Sequence, residues 1–436
     1  MSELPPRVVR HDLSRVGGAA RVIHYITTNG IGNAWVGNEL RRVGAAGIPF
    51  RLHALYRDKH SFFTSEWARE LDRGTHYLYP PSILGVVGGV LLAPLRFGGR
   101  FWSALWNAIA GERESFGRRV RAIGHFAVAC AWADSLRGQR IERIHSQWIH
   151  SCGTVGMYGA WMLGVPFSFT GHAADLYRDR VALRDKIRRA DRICCISEFH
   201  RRFYLAEGAR PEQLVIVYCG IDTSHFSPRP RAADGVFRIR ASGRLVGKKG
   251  FADLIAACGR LRDRGTRFDC VIAGSGPLEA ELRAQVERLG LSSVVSLTGE
   301  ALKQELIPEF MHGGDVYCLP CTWAADGDVD GLPQMLMEAM ACGLPAVSTN
   351  LVGIPDLIKD GETGLLVEPG DVEALAGALA RLAEDPALRR RLAVAGRARV
   401  IEVFDLDRCL EPLFEIFRGP RGGARAAAPA FAASPA

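Results

Sequence analysis

Short apolar runs alternate with amphipathic stretches along most of the chain. The run at residues 22–26 predicts a β-strand, and Trp35, Leu40 and Val43 after it fall on one face of a helix. Further strands are predicted near residues 143–147, 165–170, 192–197 and 213–218. Strands that alternate with helices are typical of an α/β domain with a parallel sheet and helices on both of its faces.

A stretch rich in Gly and Pro, residues 219–235, breaks this periodicity and predicts a connection between domains. A second series follows, with strands near residues 236–242, 268–273, 293–298, 315–319, 344–348 and 365–367. Two such series predict two Rossmann-like, doubly wound parallel-sheet domains that face each other across a cleft. We expect a first domain over residues 1–228, a second over 229–405, a helix over 406–418 that packs back on the first domain, and a disordered tail over 419–436.

The composition narrows the class of protein. Of 436 residues, 48% are hydrophobic and 23% are charged, which excludes a disordered or fibrous chain. The eleven cysteines are odd in number and irregularly spaced, which predicts reduced thiols in a cytoplasmic compartment. No apolar signal-peptide segment follows Met1.

The net charge of +8 favours an acidic partner. Lysine accounts for six of the 55 basic residues and arginine for the rest, and the planar guanidinium suits phosphate and carboxylate groups. An acidic ligand, an anionic membrane face or nucleic acid would fit this charge, and so would a compositional bias of the genome. Because no RNA-binding aromatic signature or zinc-finger spacing stands out, we expect no nucleic-acid partner.

Residues 82–95 are apolar but are too short, and too often interrupted by Gly and Pro, to span a membrane. Arginines and tryptophans follow at residues 96–106. Two interpretations stay open: a pair of helices buried in the first domain, or an interfacial segment whose arginines meet anionic headgroups. The second would place the protein peripherally on the inner face of the plasma membrane, with a lipid-linked sugar as acceptor.

Candidate chemistry concentrates in residues 330–343 of the second domain. A helix is predicted to have Pro333 in its first turn and to stop at Gly343. Its N-terminus offers free amides and a positive dipole end to an anion. Asp330 lies just before that terminus and Glu338 lies within the helix.

A second cluster, residues 243–250, directly follows a predicted strand. Its glycines let the backbone approach a ligand, and Arg244 and Lys249 can place two positive charges on one diphosphate. Taken alone, the cluster is more often a solvated basic loop, because short motifs have high false-positive rates. Gly274 follows the next strand, in a motif that lacks the third Gly of a dinucleotide fingerprint.

Two sequence patterns resemble metal-binding motifs but lack residues that those motifs need. Residues 326–331 mimic a calcium loop, but Met337 stands where the bidentate Glu would fall and Pro333 disrupts the loop. The Cys318–Cys321 pair has no second pair at zinc spacing. We therefore expect no metal and no other cofactor.

Together these segments resemble the retaining, GT-B-fold glycosyltransferases of family 4, of the exopolysaccharide or colanic-acid type. The resemblance is strongest over residues 190–405. The matching motifs are GRLVGKKG (243–250), AGSGP (273–277), YCLPC (317–321), DGLPQMLMEAMACGLPAVST (330–349), GIPDLI (353–358) and DGETGLLVEPGD (360–371), and in the first half FSFTGHAADLY (167–177) and CGIDTSHF (219–226).

The resemblance implies a role for each matching residue. Glu338 would bind the ribose hydroxyls of the nucleotide, and Asp330, where the family usually has Glu, would contact hydroxyls of the donor sugar. Arg244 and Lys249 would hold the leaving diphosphate. The other donor-side residues would be Gly243, Gly274, Gly331, Leu332 and Pro333.

In the first domain the resemblance implies that His172 lies beside the transferred sugar and Asp175 beside the acceptor. Gly30 or Gly32 would let the loop after the first strand approach the donor.

The implied reaction is retaining transfer of a sugar from a UDP- or GDP-linked donor to a hydroxyl of a glycan or lipid-linked glycan, in bacterial surface-polysaccharide synthesis. The leaving diphosphate gains negative charge, which two cations and a helix N-terminus would stabilise without a metal. Two alternatives stay open: a nucleotide-sugar epimerase or hydrolase on the same fold, and a non-catalytic nucleotide-sugar-binding subunit. The joint presence of Arg244, Lys249 and Glu338 argues against the second.

Overall fold

Two parallel β-sheets organise the computed structural model, which describes residues 21–31, 34–57, 66–172, 176, 180–229 and 234–419. Within these ranges, the first sheet contains the strands β1 Val22–Thr27, β2 Phe50–Ala54, β3 His76–Tyr77, β4 Ile141–Gln147, β5 Phe167–Gly171, β6 Arg192–Cys195 and β7 Leu214–Ile216. The second contains β8 Phe237–Ser242, β9 Phe268–Ala273, β10 Val295–Leu297, β11 Val316–Leu319, β12 Ala346–Thr349 and β13 Leu365–Val367. The two predicted doubly wound sheets are confirmed.

The two sheets share one strand order, to which the first sheet adds a seventh strand at its edge. The strand orders are β3-β2-β1-β4-β5-β6-β7 and β10-β9-β8-β11-β12-β13, and the paired strands run parallel. In each sheet the chain therefore reverses its direction of winding between two central strands, at β1/β4 and at β8/β11. Ligands of open α/β sheets bind in the crevice outside the carboxyl ends of such neighbouring strands.

The helices cover the faces of these sheets. Those of the first half are α1 Ala34–Ala45, α2 Glu66–Gly74, α3 Ile83–Phe97, α4 Gly99–Ala110, α5 Phe116–Ser135, α6 Ser151–Leu163, α7 Leu183–Arg189 and α8 Glu198–Ala206. The second half has α9 Phe251–Asp263, α10 Glu279–Arg288, α11 Ile307–His312, α12 Gln334–Ala341, α13 Ile354–Leu357, α14 Val372–Glu384, α15 Pro386–Val403 and α16 Leu406–Arg418.

Strand β2 was not predicted, because its sequence does not form an apolar run. His53 on β2 is buried and lies 2.9 Å, Nε2 to Nδ1, from His24 on β1. Its other ring nitrogen accepts a hydrogen bond of 3.1 Å from Trp132 Nε1. Because both of its ring nitrogens have hydrogen-bond partners, the His53 imidazole can be part of the core. A hydropathy pattern counts the same residue as polar.

Helix α16 lies against the first sheet. Leu410 and Phe417 are buried in the same apolar cluster as Ile23 and Tyr25 of β1. The position is also fixed by charge, because Arg42 of α1 pairs with Asp407, at 2.5 Å between Nε and Oδ1.

Helices α3 and α4 account for residues 82–106 and meet at Gly98. Gly89, Ala93 and Phe101 are buried, whereas Leu84 and other apolar side chains on the outer faces are exposed. The two helices are therefore packed on the first domain by one face each, and their other faces are exposed. No helix within the described ranges is both long enough and apolar enough to cross a membrane.

Candidate functional site

The crevice of the second sheet opens where β8 and β11 end. Ser242, the last residue of β8, lies 3.0 Å from Tyr317 of β11 between their hydroxyl oxygens. Beyond β8 and β9, the loops at Gly243 and Gly274 touch, since a Cβ on Gly274 would lie 1.9 Å from the Gly243 carbonyl oxygen. Only glycine fits this approach, so both loops are held at the crevice.

Two lysines bracket Asp330 at this crevice. Lys249 Nζ lies 2.6 Å from Asp330 Oδ2, and Lys248 Nζ lies 3.2 Å from Oδ1. Lys248 also pairs with Asp328 at 3.0 Å. Burial opposes the charge on Asp330, but Lys249 and Lys248 outweigh it and hold the pKa of that carboxyl below its ordinary value. Asp330 is therefore ionised at neutral pH.

Arg244 differs from these lysines. Its side chain is exposed, and it forms no ion pair with any residue that the structure describes. Arg244, Lys248 and Lys249 together place three cations against two carboxylates in one short region. The local excess of positive charge is available to an anionic group.

Helix α12 carries Glu338 behind this cluster. It begins at Gln334, so Pro333 (φ −67°, ψ 121°) is the N-cap residue and not, as predicted, part of the first turn. Gly343 lies just past its end. The side chain of Leu332 is buried, and the carbonyl of Gly331 accepts a hydrogen bond of 2.9 Å from the Gly353 amide. The loop before the helix is thus fixed by a second loop after β12.

Glu338 is 5% exposed, and no described residue donates a hydrogen bond to its Oε2 atom. Burial raises the pKa of Glu338 to about 7. A buried carboxylate oxygen without a donor costs free energy in the absence of a ligand. This oxygen is the strongest local indication that a hydroxyl-bearing molecule binds here.

In the first half, His172 directly follows β5. Its ring centroid lies 4.6 Å from that of Trp35 and 5.6 Å from that of Trp148. Burial, and then His200 and His150, lower the pKa of His172 to about 3. The imidazole is therefore neutral at physiological pH and can hydrogen-bond a hydroxyl without carrying charge.

Gly30 follows β1 with left-handed backbone (φ +62°), and a Cβ there would lie 3.1 Å from the hydroxyl oxygen of Tyr77. The loop is therefore compact and its glycine is required. Gly32 and Asp175, the other two residues predicted on this side, lie outside the described residues.

Contacts connect the two halves beside the site. A Cβ on Gly353 would lie 2.9 Å from Cβ of Ser197, whose hydroxyl is 2.7 Å from His200 Nδ1. The amide of Glu198 donates to Asp356 Oδ2 at 2.7 Å. A chain of contacts therefore runs from the histidines next to His172 to the loop that holds Gly331.

Sequence reasoning missed several of these residues. Lys248 was indistinguishable from a solvated lysine, because its partner Asp328 is 80 positions away. Trp148 (φ 77°) and Val352 (φ 47°) have left-handed backbone that bulky or β-branched residues rarely adopt. Such strain clusters at functional sites but leaves no mark in the sequence.

Comparisons with known proteins identify the family. The family model of glycosyl transferases group 1 matches residues 225–399, and that of glycosyltransferase family 4 matches residues 62–225. A putative colanic acid biosynthesis glycosyltransferase, WcaL of Escherichia coli, is 37% identical over 293 residues, which cover 66% of this chain and 68% of that protein. The chain belongs to the group 1 glycosyl transferases.

A second curated relative and a solved structure are also similar to this chain. The amylovoran biosynthesis glycosyltransferase AmsK of Erwinia amylovora is 37% identical over 222 residues, 51% of this chain and 54% of that protein. The chain thus spans between about half and two thirds of the curated relatives it matches. The structure of Anabaena Alr3699/HepE in complex with UDP superposes with a TM-score of 0.67 at 17% identity, covering 92% of this chain and 100% of that one. This likeness shows the fold, which is GT-B.

Proposed function

We propose that this protein is a retaining glycosyltransferase that moves a sugar from a nucleotide-diphosphate sugar to a hydroxyl of a glycan or lipid-linked glycan in bacterial surface-polysaccharide synthesis. The observation that carries the proposal is the buried Glu338 oxygen without a donor, next to a crevice with excess positive charge. A nucleotide-diphosphate sugar supplies what each lacks, ribose hydroxyls for the carboxylate and a diphosphate for the cations.

The roles of the relatives support the same function. Amylovoran and colanic acid biosynthesis are named for the two curated relatives, and the superposed Anabaena protein was crystallised with UDP. UDP- and GDP-linked sugars remain the two candidate donors. We propose that the reaction takes place in the cytoplasm and uses no metal, with Lys248 supplying the positive charge between Asp328 and Asp330.

We propose a second role for Asp330 beside the expected contact with the donor sugar. Because both of its oxygens are paired with lysines, we propose that it positions Lys249 for the diphosphate as well as facing the donor sugar. When the anomeric C–O bond breaks, Arg244 and Lys249 stabilise the negative charge that develops on the leaving group. Neutral His172 borders the sugar, and the acceptor hydroxyl enters from the first domain.

Product analysis with and without acceptor tests the proposal. We expect one class of nucleoside diphosphate, uridine or guanosine, to raise the melting temperature of the protein, in proportion to the logarithm of ligand over dissociation constant. With the matching sugar donor and an extract of polysaccharide acceptors, the nucleoside diphosphate should be released only when acceptor is present. Equal release without acceptor would indicate a hydrolase, and a changed sugar without transfer would indicate an epimerase. If no nucleotide stabilises the protein, the proposal fails.

A further inference from the structure

The first domain exposes a large apolar surface on three consecutive helices. Of the 17 exposed large hydrophobic residues among those that the structure describes, 12 lie between residues 83 and 123. We call this surface the three-helix face. It consists of Ile83, Leu84, Val87, Leu91, Leu92 and Leu95 of α3, Trp102, Trp106 and Ile109 of α4, and Phe116, Val120 and Ile123 of α5.

These residues form stripes at helical spacing, and the opposite sides of the helices are already packed. On α3, Leu84, Val87, Leu91 and Leu95 recur at intervals of three and four and are 50–87% exposed. On the other side, a Cβ on Gly89 would lie 2.7 Å from the Cα of Ala131 in α5. The small residue lets α3 and α5 approach closely. Because this side of α3 already packs on the domain, the leucines on its other side remain exposed.

Basic residues outnumber acidic ones along the three-helix face. Between residues 83 and 123 the acidic residues are Glu112 and Glu114, and both are engaged by the segment at α7. Glu112 pairs with Arg184 at 2.9 Å, and Glu114 accepts from the backbone amide of Leu183 at 3.2 Å. The arginines that border the face are Arg96, Arg100, Arg118, Arg119 and Arg121.

An open groove of about 710 Å³ lies at the Leu95 end of the face, where α3 turns into α4. Arg96, Arg100 and Arg137 line it. Asp134 pairs with two of these, at 3.6 Å from Arg137, so three cations meet one carboxylate. The groove therefore retains positive charge beside exposed leucines, an arrangement that suits a phosphate on an apolar chain.

We propose that the three-helix face docks on a lipid bilayer that contains anionic phospholipids, with its leucines and tryptophans in the interface and its arginines at the headgroups. Tryptophan is favoured at this depth because its ring is apolar and its N–H is polar. A second copy of the chain fits less well, because face-to-face contact would bring arginines together without acidic partners.

One end of the face is joined to the start of α7. Glu114, between α4 and α5, accepts hydrogen bonds from the amides of Ala182 and Leu183. This inference rests on the proposed function, since docking here would bring the first domain to a lipid-linked acceptor.

Vesicle flotation of the full chain tests the docking. We compare vesicles of phosphatidylcholine alone with vesicles that also contain phosphatidylglycerol. The protein should float with the second kind and lose binding as salt rises. The triple variant Leu91→Gln, Leu95→Gln, Trp106→Gln should bind at least about tenfold more weakly, because it loses apolar area from the interface.

The matched control is Leu306→Gln with Val394→Gln, which changes exposed apolar residues outside the face and should bind as the unchanged protein does. Stabilisation by nucleoside diphosphate should be the same in all three proteins, which separates a failure of docking from a failure of the proposed function. The inference is overturned if the unchanged protein does not float, if the triple variant binds equally well, or if the variant instead abolishes a dimer seen in solution without vesicles.

Discussion

Replacing Glu338 with glutamine should make the protein more stable at pH 8 and at the same time reduce sugar transfer by about 10²–10³-fold, the usual cost of losing a preorganised polar contact. The opposite signs follow from a single feature, the buried carboxylate whose Oε2 has no donor among the described residues. Burying this carboxylate lowers the stability of the folded protein. Hydrogen bonds from the donor's hydroxyls offset that free energy only when the donor is bound.

The pH dependence of stability has a definite sign. Burial raises the pKa of Glu338 from 4.5 to about 7, so the folded state binds the proton more tightly than the unfolded state does. The resulting contribution is complete below pH 4.5 and is lost as pH rises to 7, by on the order of 3 kcal/mol. Glutamine does not titrate, so the difference in unfolding free energy between variant and parent should grow over this range.

Urea unfolding at several pH values and transfer kinetics measure the two effects. The control is Glu39→Gln. Glu39 is a second buried carboxyl, whose pKa burial also raises to about 7, but Tyr25 and Gln147 donate to it. That variant should change the pH dependence of stability and leave nucleotide affinity unchanged. Full activity in Glu338→Gln would show that this carboxylate does not contribute to donor binding.

Replacing Lys249 with alanine should lower kcat by about 10²–10³-fold, because it removes a cation from the leaving diphosphate. The alternative is that Lys249 serves only to neutralise Asp330, 2.6 Å away. Steady-state kinetics on a double-mutant cycle with Asp330→Asn separates the two.

If Lys249 acts on the diphosphate, the double variant should be as slow as Lys249→Ala or slower. Recovery of activity in the double variant would mean that the lysine only balances a carboxylate. Arg391→Ala, an exposed arginine on α15, is the control for a general loss of positive charge and should be fully active.

Much of the fold could be predicted because its strands are buried on both faces and appear as apolar runs between Gly- and Pro-containing turns. β9, with the sequence FDCVIA, was predicted at its observed bounds. β2 could not be, because Arg51 and His53 interrupt its pattern and only the contacts with His24 and Trp132 make His53 a core residue.

Some residues of the candidate site could likewise be predicted from the sequence, and others could not. Glu338, Lys249 and Gly274 belong to contiguous motifs whose local chemistry is visible in the sequence. Lys248 and the contact between Ser197 and Gly353 depend on residues 80 to more than 150 positions apart, so only the folded arrangement shows them. The exposure of the leucines on α3 is likewise decided by which face α5 covers.

The central claim is that one crevice of the second sheet holds both the diphosphate and the ribose of the donor. A crystal structure with the nucleoside diphosphate that most stabilises the protein tests it most directly. We expect ribose hydroxyls at about 3 Å from Glu338 Oε2 and a phosphate oxygen within the same distance of Lys249 Nζ. A nucleotide bound elsewhere, with Glu338 Oε2 still lacking a donor, would contradict the account.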